Sequence, residues 1–246
     1  MKFFIGNWKM FGVPKSINIL HKINSFISKD KNRNKYRAII TPPYTLIESY
    51  SKYFRRKKII IGSQNCYKKD PFSSNTAAVS PYMIRKVGAT YTIIGHSDNR
   101  AEGDSNTDLK SKVVLALKNK LKIIYCIGEN KTQKINKKTF TVLKNQIVKV
   151  LNRKLKSNNI IIAYEPIWSI GTGKIPNNKD LLKTAIFIKK VVKKVFGKTL
   201  PVIYGGSVDE KNVKMFKEIK EIDGFLIGGA SKSAKKFIDI IKNYYR

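Results

Sequence analysis

The sequence predicts one α/β domain built as a (β/α)8 barrel, with eight parallel strands surrounded by helices. Eight short β-branched runs recur along the chain, and each is followed by a longer stretch with helical spacing of its apolar residues. A doubly wound sheet would also alternate strands with helices, but the count of eight favours the barrel. The length of 246 residues fits one such barrel, so we expect residues 1–246 to form a single domain.

The predicted strands are apolar throughout and do not alternate between apolar and polar residues. Residues 123–127 (IIYCI) and 160–164 (IIIAY) are the clearest examples. Continuous apolar strands are typical of a sheet that is buried on both faces, which is usually parallel. We predict strands at 3–8, 37–41, 59–63, 90–94, 121–126, 159–164, 200–204 and 223–227.

Helical periodicity is clearest in three segments between or after these strands, at residues 14–29, 178–196 and 232–244. Pro14 suits the first turn of the first helix, because a proline there loses no hydrogen bond. Gly197 suits the end of the second helix.

The composition excludes several classes of protein. The chain has two cysteines and two histidines, without CxxC or HxxxH spacing, which excludes a disulfide scaffold and argues against a zinc cage. No apolar run approaches the roughly 20 residues that a membrane span needs. We therefore expect a cytoplasmic protein in a reducing compartment, without a membrane partner.

The net charge of +34 has two explanations. A basic surface can bind nucleic acid or another polyanion. However, the chain has 42 lysines and only 8 arginines, and the lysines are scattered through every segment. Surfaces that bind nucleic acid usually recruit arginine as well. Lysine, isoleucine and asparagine share A/T-rich codons, so we favour compositional drift and expect no nucleic-acid binding.

Polar residues gather directly after the predicted strands, where active sites of β/α barrels lie. They provide an amide, an ammonium, an imidazole, a carboxylate and two glycine-rich turns, whose backbone N–H groups suit a phosphate. No cluster of acidic residues has the spacing of a Mg²⁺ or Ca²⁺ site, so we expect no metal. The candidates are Asn7, Lys9, His96, Glu165, Gly205-Gly206-Ser207 and Gly228-Gly229.

Each candidate also has an ordinary structural explanation when it is taken alone. Lys9 is one of many lysines, His96 could be a hydrogen-bonded structural histidine, and the glycine pairs could form simple turns. The position of Lys9 within an apolar segment favours a functional role. Glu165 is distinctive, because it follows a fully apolar strand and precedes Pro166.

Taken together, these motifs resemble the triosephosphate isomerase family. The similar segments occur in the family's order and extend over the whole chain. They are residues 7–10 (NWKM), 94–97 (IGHS), 126–129 (CIGE), 163–174 (AYEPIWSIGTGK), 204–208 (YGGSV) and 224–231 (GFLIGGAS).

The resemblance implies a TIM barrel that interconverts D-glyceraldehyde 3-phosphate and dihydroxyacetone phosphate through an enediolate, in glycolysis and gluconeogenesis. It implies that Glu165 is the base, that neutral His96 polarises the carbonyl and that Lys9 stabilises the enediolate. Such an interconversion needs an acid and a base but no redox cofactor. The remaining site residues follow from the same resemblance: Asn7 positions the substrate, residues 166–174 form a lid, and Gly171, Ser207, Gly228 and Gly229 bind the phosphate.

The chain departs from the family pattern near the candidate site. The family has Glu-Arg-Arg after the histidine and serine, whereas this chain has Asp98-Asn99-Arg100. Asp98 is one methylene shorter, and Asn99 removes a cation. Pro176 lies near the end of the lid and fixes φ, so we expect a stiffer lid.

The resemblance also implies a homodimer through the loop that contains Thr76. In this chain Ala77 and Ala78 replace the family's Gly-Glu pair, and Phe11 stands where a polar residue is common. We therefore expect a dimer with altered polar contacts, opposed by the repulsion between two strongly basic protomers.

Two other functions remain open from the sequence. One is a weakly catalytic barrel that binds polyanions, supported only by the charge. The other is a different phosphosugar enzyme, such as an aldolase, which would need a Schiff-base lysine near the barrel centre. Lys122 is the nearest candidate, and it lies at a predicted strand start.

Overall fold

The computed structural model describes residues 1–69, 71–155 and 158–246, and its strands form a closed parallel barrel. The strands are β1 (Lys2–Asn7), β2 (Tyr36–Thr41), β3 (Ile59–Ser63), β4 (Tyr91–Ile94), β5 (Lys122–Ile127), β6 (Ile160–Tyr164), β7 (Val202–Tyr204) and β8 (Gly224–Ile227). Each strand pairs with the next in parallel, and β8 pairs with β1. This closure confirms the predicted barrel and excludes the doubly wound sheet, which is open.

The strands begin and end within two residues of their predicted bounds. The largest difference is at β7, which begins at Val202 instead of residue 200. Pro201 has no N–H to donate to a neighbouring strand. Its carbonyl oxygen still accepts a hydrogen bond from the Ile162 N–H at 2.9 Å, so the chain lies beside β6 before regular pairing starts.

Helices surround the barrel. They are α1 (Ile17–Lys29), α2 (Tyr44–Phe54), α3 (Pro81–Lys86), α4 (Ser97–Ala101), α5 (Asn106–Lys118), α6 (Lys131–Ile135), α7 (Thr139–Val150), α8 (Asn178–Phe196) and α9 (Ala234–Tyr245). The predicted helix at 178–196 is confirmed, and Gly197 ends it with a φ of 88°.

The other two predicted helices begin differently. Residues 14–16 form a short 3₁₀ turn before α1, and the last helix begins at Ala234 instead of residue 232. Between β7 and β8 the described chain has a 3₁₀ helix, Val213–Glu218, where the barrel pattern predicts an α-helix. No helix in the three described ranges is long and apolar enough to cross a membrane.

The hydrophobic core has two layers, which explains why the strands are continuously apolar. In β5, Ile124 and Cys126 belong to the cluster inside the barrel, whereas Ile123, Tyr125 and Ile127 belong to the layer between the barrel and the helices. Each face of the strand is therefore buried. Burial of one such aliphatic side chain stabilises the fold by about 1.5–3 kcal/mol.

Candidate active site

A cavity of about 590 Å³ opens at the carboxyl ends of the strands. This volume is in the range of small-molecule sites. All ten candidate residues named from the sequence line it: Asn7, Lys9, His96, Glu165, Gly171, Gly205, Gly206, Ser207, Gly228 and Gly229. The closed barrel brings them together from the ends of five strands and from the lid.

Glu165 and His96 form the centre of the cavity. Glu165 Oε1 lies 3.5 Å from His96 Nε2, and both side chains are buried. His96 Nδ1 accepts a hydrogen bond from the backbone N–H of Asp98 at 3.1 Å, so this nitrogen carries no proton. The neutral ring then has its proton on Nε2, and the pair presents a carboxylate base beside a neutral donor.

Two glycines leave room for Glu165. A Cβ at Gly205 would lie 2.7 Å from Glu165 Cγ, and a Cβ at Gly128 would overlap the Glu165 carbonyl oxygen. Glu165 Oε2 is buried and has no hydrogen-bond partner among the described residues. A buried oxygen of this kind costs about 1–3 kcal/mol, and it is available to accept a proton from a substrate.

Cys126 lies against this carboxylate from inside the barrel. Burial raises the pKa of the Cys126 thiol well above its ordinary value, and the charge of Glu165 and a hydrogen bond to it raise this pKa further. The thiol therefore stays protonated beside Glu165. Cys126 packs inside the barrel, in a strand that the sequence predicts to be buried on both faces, and it also contacts the candidate base.

Lys9 is held at its backbone and at its ammonium group. Its N–H donates to Asn7 Oδ1 at 3.1 Å, and its carbonyl oxygen accepts from Gln64 Nε2 at 2.8 Å. These contacts support a left-handed backbone with φ of 53°, which costs a non-glycine residue about 1–2 kcal/mol. Lys9 Nζ lies 3.1 Å from Asp98 Oδ2, so the two side chains form an ion pair.

Arg100 supports the turn that carries His96. Its Nε donates to the Gly95 carbonyl oxygen at 2.8 Å, and its Nη2 donates to the Cys126 carbonyl oxygen at 3.1 Å. The guanidinium thus ties the end of β4 to the end of β5. Sequence reasoning did not assign this role, although arginine is rare in the chain and Arg100 follows His96 closely.

The glycine-rich turns and the lid meet at the other side of the cavity. Ser207 Oγ accepts a hydrogen bond from the Gly173 N–H at 3.1 Å and donates to the Ser169 carbonyl oxygen at 2.7 Å. Gly171 and Gly173 have positive φ values of 69° and 74°, which favour glycine. The Gly228-Gly229 turn begins a short 3₁₀ helix beside them.

Two cations of this cavity were not predicted. Lys211 and Lys236 line it near the glycine-rich turns. Their charges suit a phosphate, but in a chain with 42 lysines no sequence signal distinguishes them.

Three contacts at the lid were also missed by the sequence analysis. Ser169 Oγ lies 2.5 Å from the Lys174 carbonyl oxygen and 3.0 Å from the Tyr204 hydroxyl oxygen. Glu129 Oε1 accepts a hydrogen bond from Trp168 Nε1 at 2.9 Å. All of these residues lie in the segments that carried the resemblance, so their presence was noted but their contacts were not.

The other candidates for chemistry do not lie in this cavity. Lys122 is at the start of β5, at the opposite end of the barrel, so no aldolase-type lysine is placed beside Glu165. Within residues 1–69, 71–155 and 158–246, no three or more His, Cys, Asp or Glu side chains lie together so that they could hold a metal ion.

Comparison with known proteins gives one consistent family. The family model described as "Triosephosphate isomerase" matches residues 2–244. The triosephosphate isomerase of Thermodesulfovibrio yellowstonii is 35% identical over 245 residues, which is 98% of each chain. That of Wolbachia pipientis wMel is 36% identical over 239 residues, covering 97% of this chain and 92% of the relative.

A solved structure agrees with the sequence comparisons. The crystal structure of triosephosphate isomerase from Bartonella henselae superposes with a TM-score of 0.89 at 31% identity. The match covers 100% of this chain and 99% of the other. The chain therefore belongs to the triosephosphate isomerase family.

Proposed function

We propose that this protein is a triosephosphate isomerase, which interconverts D-glyceraldehyde 3-phosphate and dihydroxyacetone phosphate through an enediolate. The approach of Glu165 Oε1 to His96 Nε2 at 3.5 Å carries this proposal. The pair lies in a cavity that also presents the Lys9 ammonium and two glycine-rich turns. This set fits a small, phosphorylated hydroxycarbonyl compound.

The proposed mechanism moves protons only. Glu165 removes a proton from the carbon next to the carbonyl, and the Nε2–H of His96 donates to the carbonyl oxygen. The Lys9 ammonium stabilises the negative charge that develops on that oxygen. Glu165 then returns its proton to the carbon that carried the carbonyl, while the neighbouring hydroxyl of the substrate gives its proton, by way of His96 Nε2, to the former carbonyl oxygen. The electron pair of the broken C–H bond stays within the substrate. We therefore propose a reaction that needs neither a cofactor nor a metal.

The phosphate group would be held at the other side of the cavity. We assign its binding to the N–H groups of Gly171, Gly228 and Gly229 and to Ser207, while Asn7 helps to orient the carbon chain. Closure of the lid at residues 166–174 would exclude water from the enediolate. This protects the intermediate from losing its phosphate.

The cellular setting and the assembly belong to the same proposal. We place the enzyme in the cytoplasm, in glycolysis and gluconeogenesis, as a single domain over residues 1–246. We also propose a homodimer through the loop that contains Thr76. Thr76 is exposed, and Met10 and Phe72 on the loops after β1 and β3 are 99% and 80% exposed. A partner subunit would cover this apolar surface.

The test is an isomerase assay on protein from a host that lacks its own isomerase. We expect fast conversion by the wild-type protein and a loss of about 100-fold to 10,000-fold in Glu165→Gln, because the amide cannot accept the proton. Gln is close to Glu in shape, so the variant keeps the packing against Gly205. Absence of turnover in folded wild-type protein would contradict the proposal.

A further inference from the structure

A second cavity lies at the amino-terminal end of the barrel, opposite to the candidate active site. Its volume is about 820 Å³. The starts of β2, β3, β4 and β5 form its walls, together with the turns that lead into β3, β4 and β5. We call it the basal cavity and define it by Arg37, Arg55, Arg56, Arg85 and Lys122.

The basal cavity is strongly and unevenly charged. Nine cations line it, four arginines and five lysines, against a single carboxylate, that of Glu48. Glu48 Oε1 lies 2.6 Å from Lys52 Nζ and pairs with that lysine. The other eight cations form no ion pair with a carboxylate in the described part of the chain. Many uncompensated positive charges therefore surround one concavity.

Compositional drift toward lysine does not explain this lining. The whole chain has 8 arginines among its 50 basic residues, and four of those arginines line this one cavity. The guanidinium group binds phosphate oxygens through paired N–H donors, which the lysine ammonium does not offer. The arginines are thus concentrated where they would recognise an anion.

Two further observations distinguish the basal cavity from an ordinary basic surface. Arg56 and Lys120 have left-handed backbones, with φ of 64° and 60°, although such positions favour glycine or asparagine. Outliers of this kind gather at functional sites, and Lys9 in the active-site cavity has the same feature. In addition, burial and the charge of Arg37 lower the pKa of Lys122, so the surroundings of this lysine disfavour its charged form.

We propose that the basal cavity binds a compact anion that carries several phosphate groups, a small polyphosphate. Its volume suits a small ligand. A single-stranded nucleic acid would need exposed aromatic side chains on which bases can stack. The aromatic residues of the wall, Phe54 and Tyr91, are buried. The lining therefore favours a small ligand over a nucleic-acid strand.

The test is isothermal titration calorimetry with inorganic tripolyphosphate. It is done at about 0.15 M salt, where long-range attraction by surface charges is largely screened. The variant is Arg55→Gln with Arg56→Asn; both side chains are exposed, and asparagine tolerates the left-handed backbone. Its matched control is Lys144→Gln with Lys149→Gln, two exposed positions on α7 outside both cavities. Both double variants lose the same charge.

We expect the dissociation constant to rise about tenfold or more in the arginine variant, which corresponds to about 1.4 kcal/mol, and to change little in the control. Isomerase kcat and KM should be unchanged in both. Equal affinity in all three proteins would overturn the proposal, since the two arginines would then contribute nothing to binding. An equal loss of affinity in both double variants would also overturn it, since binding would then follow net charge alone. Displacement of tripolyphosphate by the triose phosphate would also overturn it, because the ligand would then occupy the active-site cavity.

A single-stranded oligonucleotide serves as the competing ligand. We expect it to bind more weakly than tripolyphosphate at the same salt concentration. Tighter binding that depends on Arg55 and Arg56 would assign the cavity to nucleic acid and overturn the small-ligand proposal. Lys122→Gln, which changes a strand residue and not a turn, provides a second variant and should also weaken the binding of tripolyphosphate.

Discussion

The side-chain oxygen of Ser169 lies 3.0 Å from the hydroxyl oxygen of Tyr204, in the interior below the lid. Ser169 Oγ also donates to the Lys174 carbonyl oxygen, so its only proton is used there. The Tyr204 hydroxyl must then be the donor to Ser169. Burial raises the pKa of Tyr204 to about 12, which keeps this proton in place at neutral pH. The Ser169 hydroxyl thus connects Lys174, at the end of the lid, to Tyr204, at the end of β7.

Ser169→Ala should weaken the closed lid without altering Glu165 and His96, the groups that transfer protons. The hydrogen bonds to the Lys174 carbonyl oxygen and the Tyr204 hydroxyl are lost, each with a net value of about 1 kcal/mol, so we expect kcat/KM to fall about 30-fold. The specific measurement is the fraction of turnovers in which the intermediate loses its phosphate to solvent. This fraction should rise if the lid opens early.

Tyr204→Phe is a second variant that tests the same hydrogen bond, because it removes the hydroxyl that donates to Ser169. Phosphate loss should increase in both variants. If Ser169→Ala keeps wild-type kinetics and shows no increase in phosphate loss, the bond to Tyr204 does not hold the lid.

Because of Cys126, the free energy of unfolding should vary with pH in the alkaline range. Its folded pKa is raised by burial and by Glu165, so the folded protein keeps a proton that the unfolded chain loses above about pH 8.5. The stabilisation is therefore complete below the unfolded pKa and is lost as the pH rises above it. We expect the free energy of unfolding to fall between about pH 8 and pH 10, as measured by urea denaturation.

Cys126→Ala isolates this effect, since it removes the titrating group. The variant should be less stable at pH 7, because it loses packing inside the barrel, but its pH dependence should be shallower. Parallel curves for the two proteins would assign the alkaline loss of stability to other groups, such as the buried tyrosines.

The sequence predicted residues that line the candidate active-site cavity, but not the contacts that support them. Asn7, His96 and Glu165 were found because each ends an apolar strand, and a parallel barrel brings all such ends to one rim. The partner of Ser169 is 35 residues away, and that of Gln64 is 55 residues away. Such pairings depend on side-chain directions in the folded state, which no local spacing specifies.

The cations of the basal cavity could not be predicted from the sequence either. In the sequence its cations are spread between residues 37 and 122, and they resemble the rest of a lysine-rich chain. Only the closed barrel brings the starts of β2 to β5 together. The sequence argument against a basic block was correct for the linear chain, but it did not apply to the folded surface.

Asp98→Asn should separate the placement of Lys9 from the stability of the fold. The Lys9–Asp98 pair is largely exposed, so its loss should cost no more than about 1 kcal/mol of stability. The ammonium is then no longer held beside the cavity, and we expect kcat/KM to fall about tenfold. Asp98→Glu keeps the charge and should remain within about threefold of the wild type. Equal kinetics in all three proteins would show that Asp98 does not position Lys9.

Assembly of the proposed dimer should strengthen as salt is added. Each protomer carries a formal charge of +34, and salt at about 0.15 M shortens the range of this repulsion to roughly 8 Å. We expect sedimentation equilibrium to show a lower dissociation constant at high salt than at low salt. Phe72→Asp should weaken the dimer, because it places a charge on the exposed apolar surface near Thr76, whereas Lys144→Gln should not. A dimer that weakens with added salt would mean that ion pairs across the interface outweigh the repulsion between the protomers.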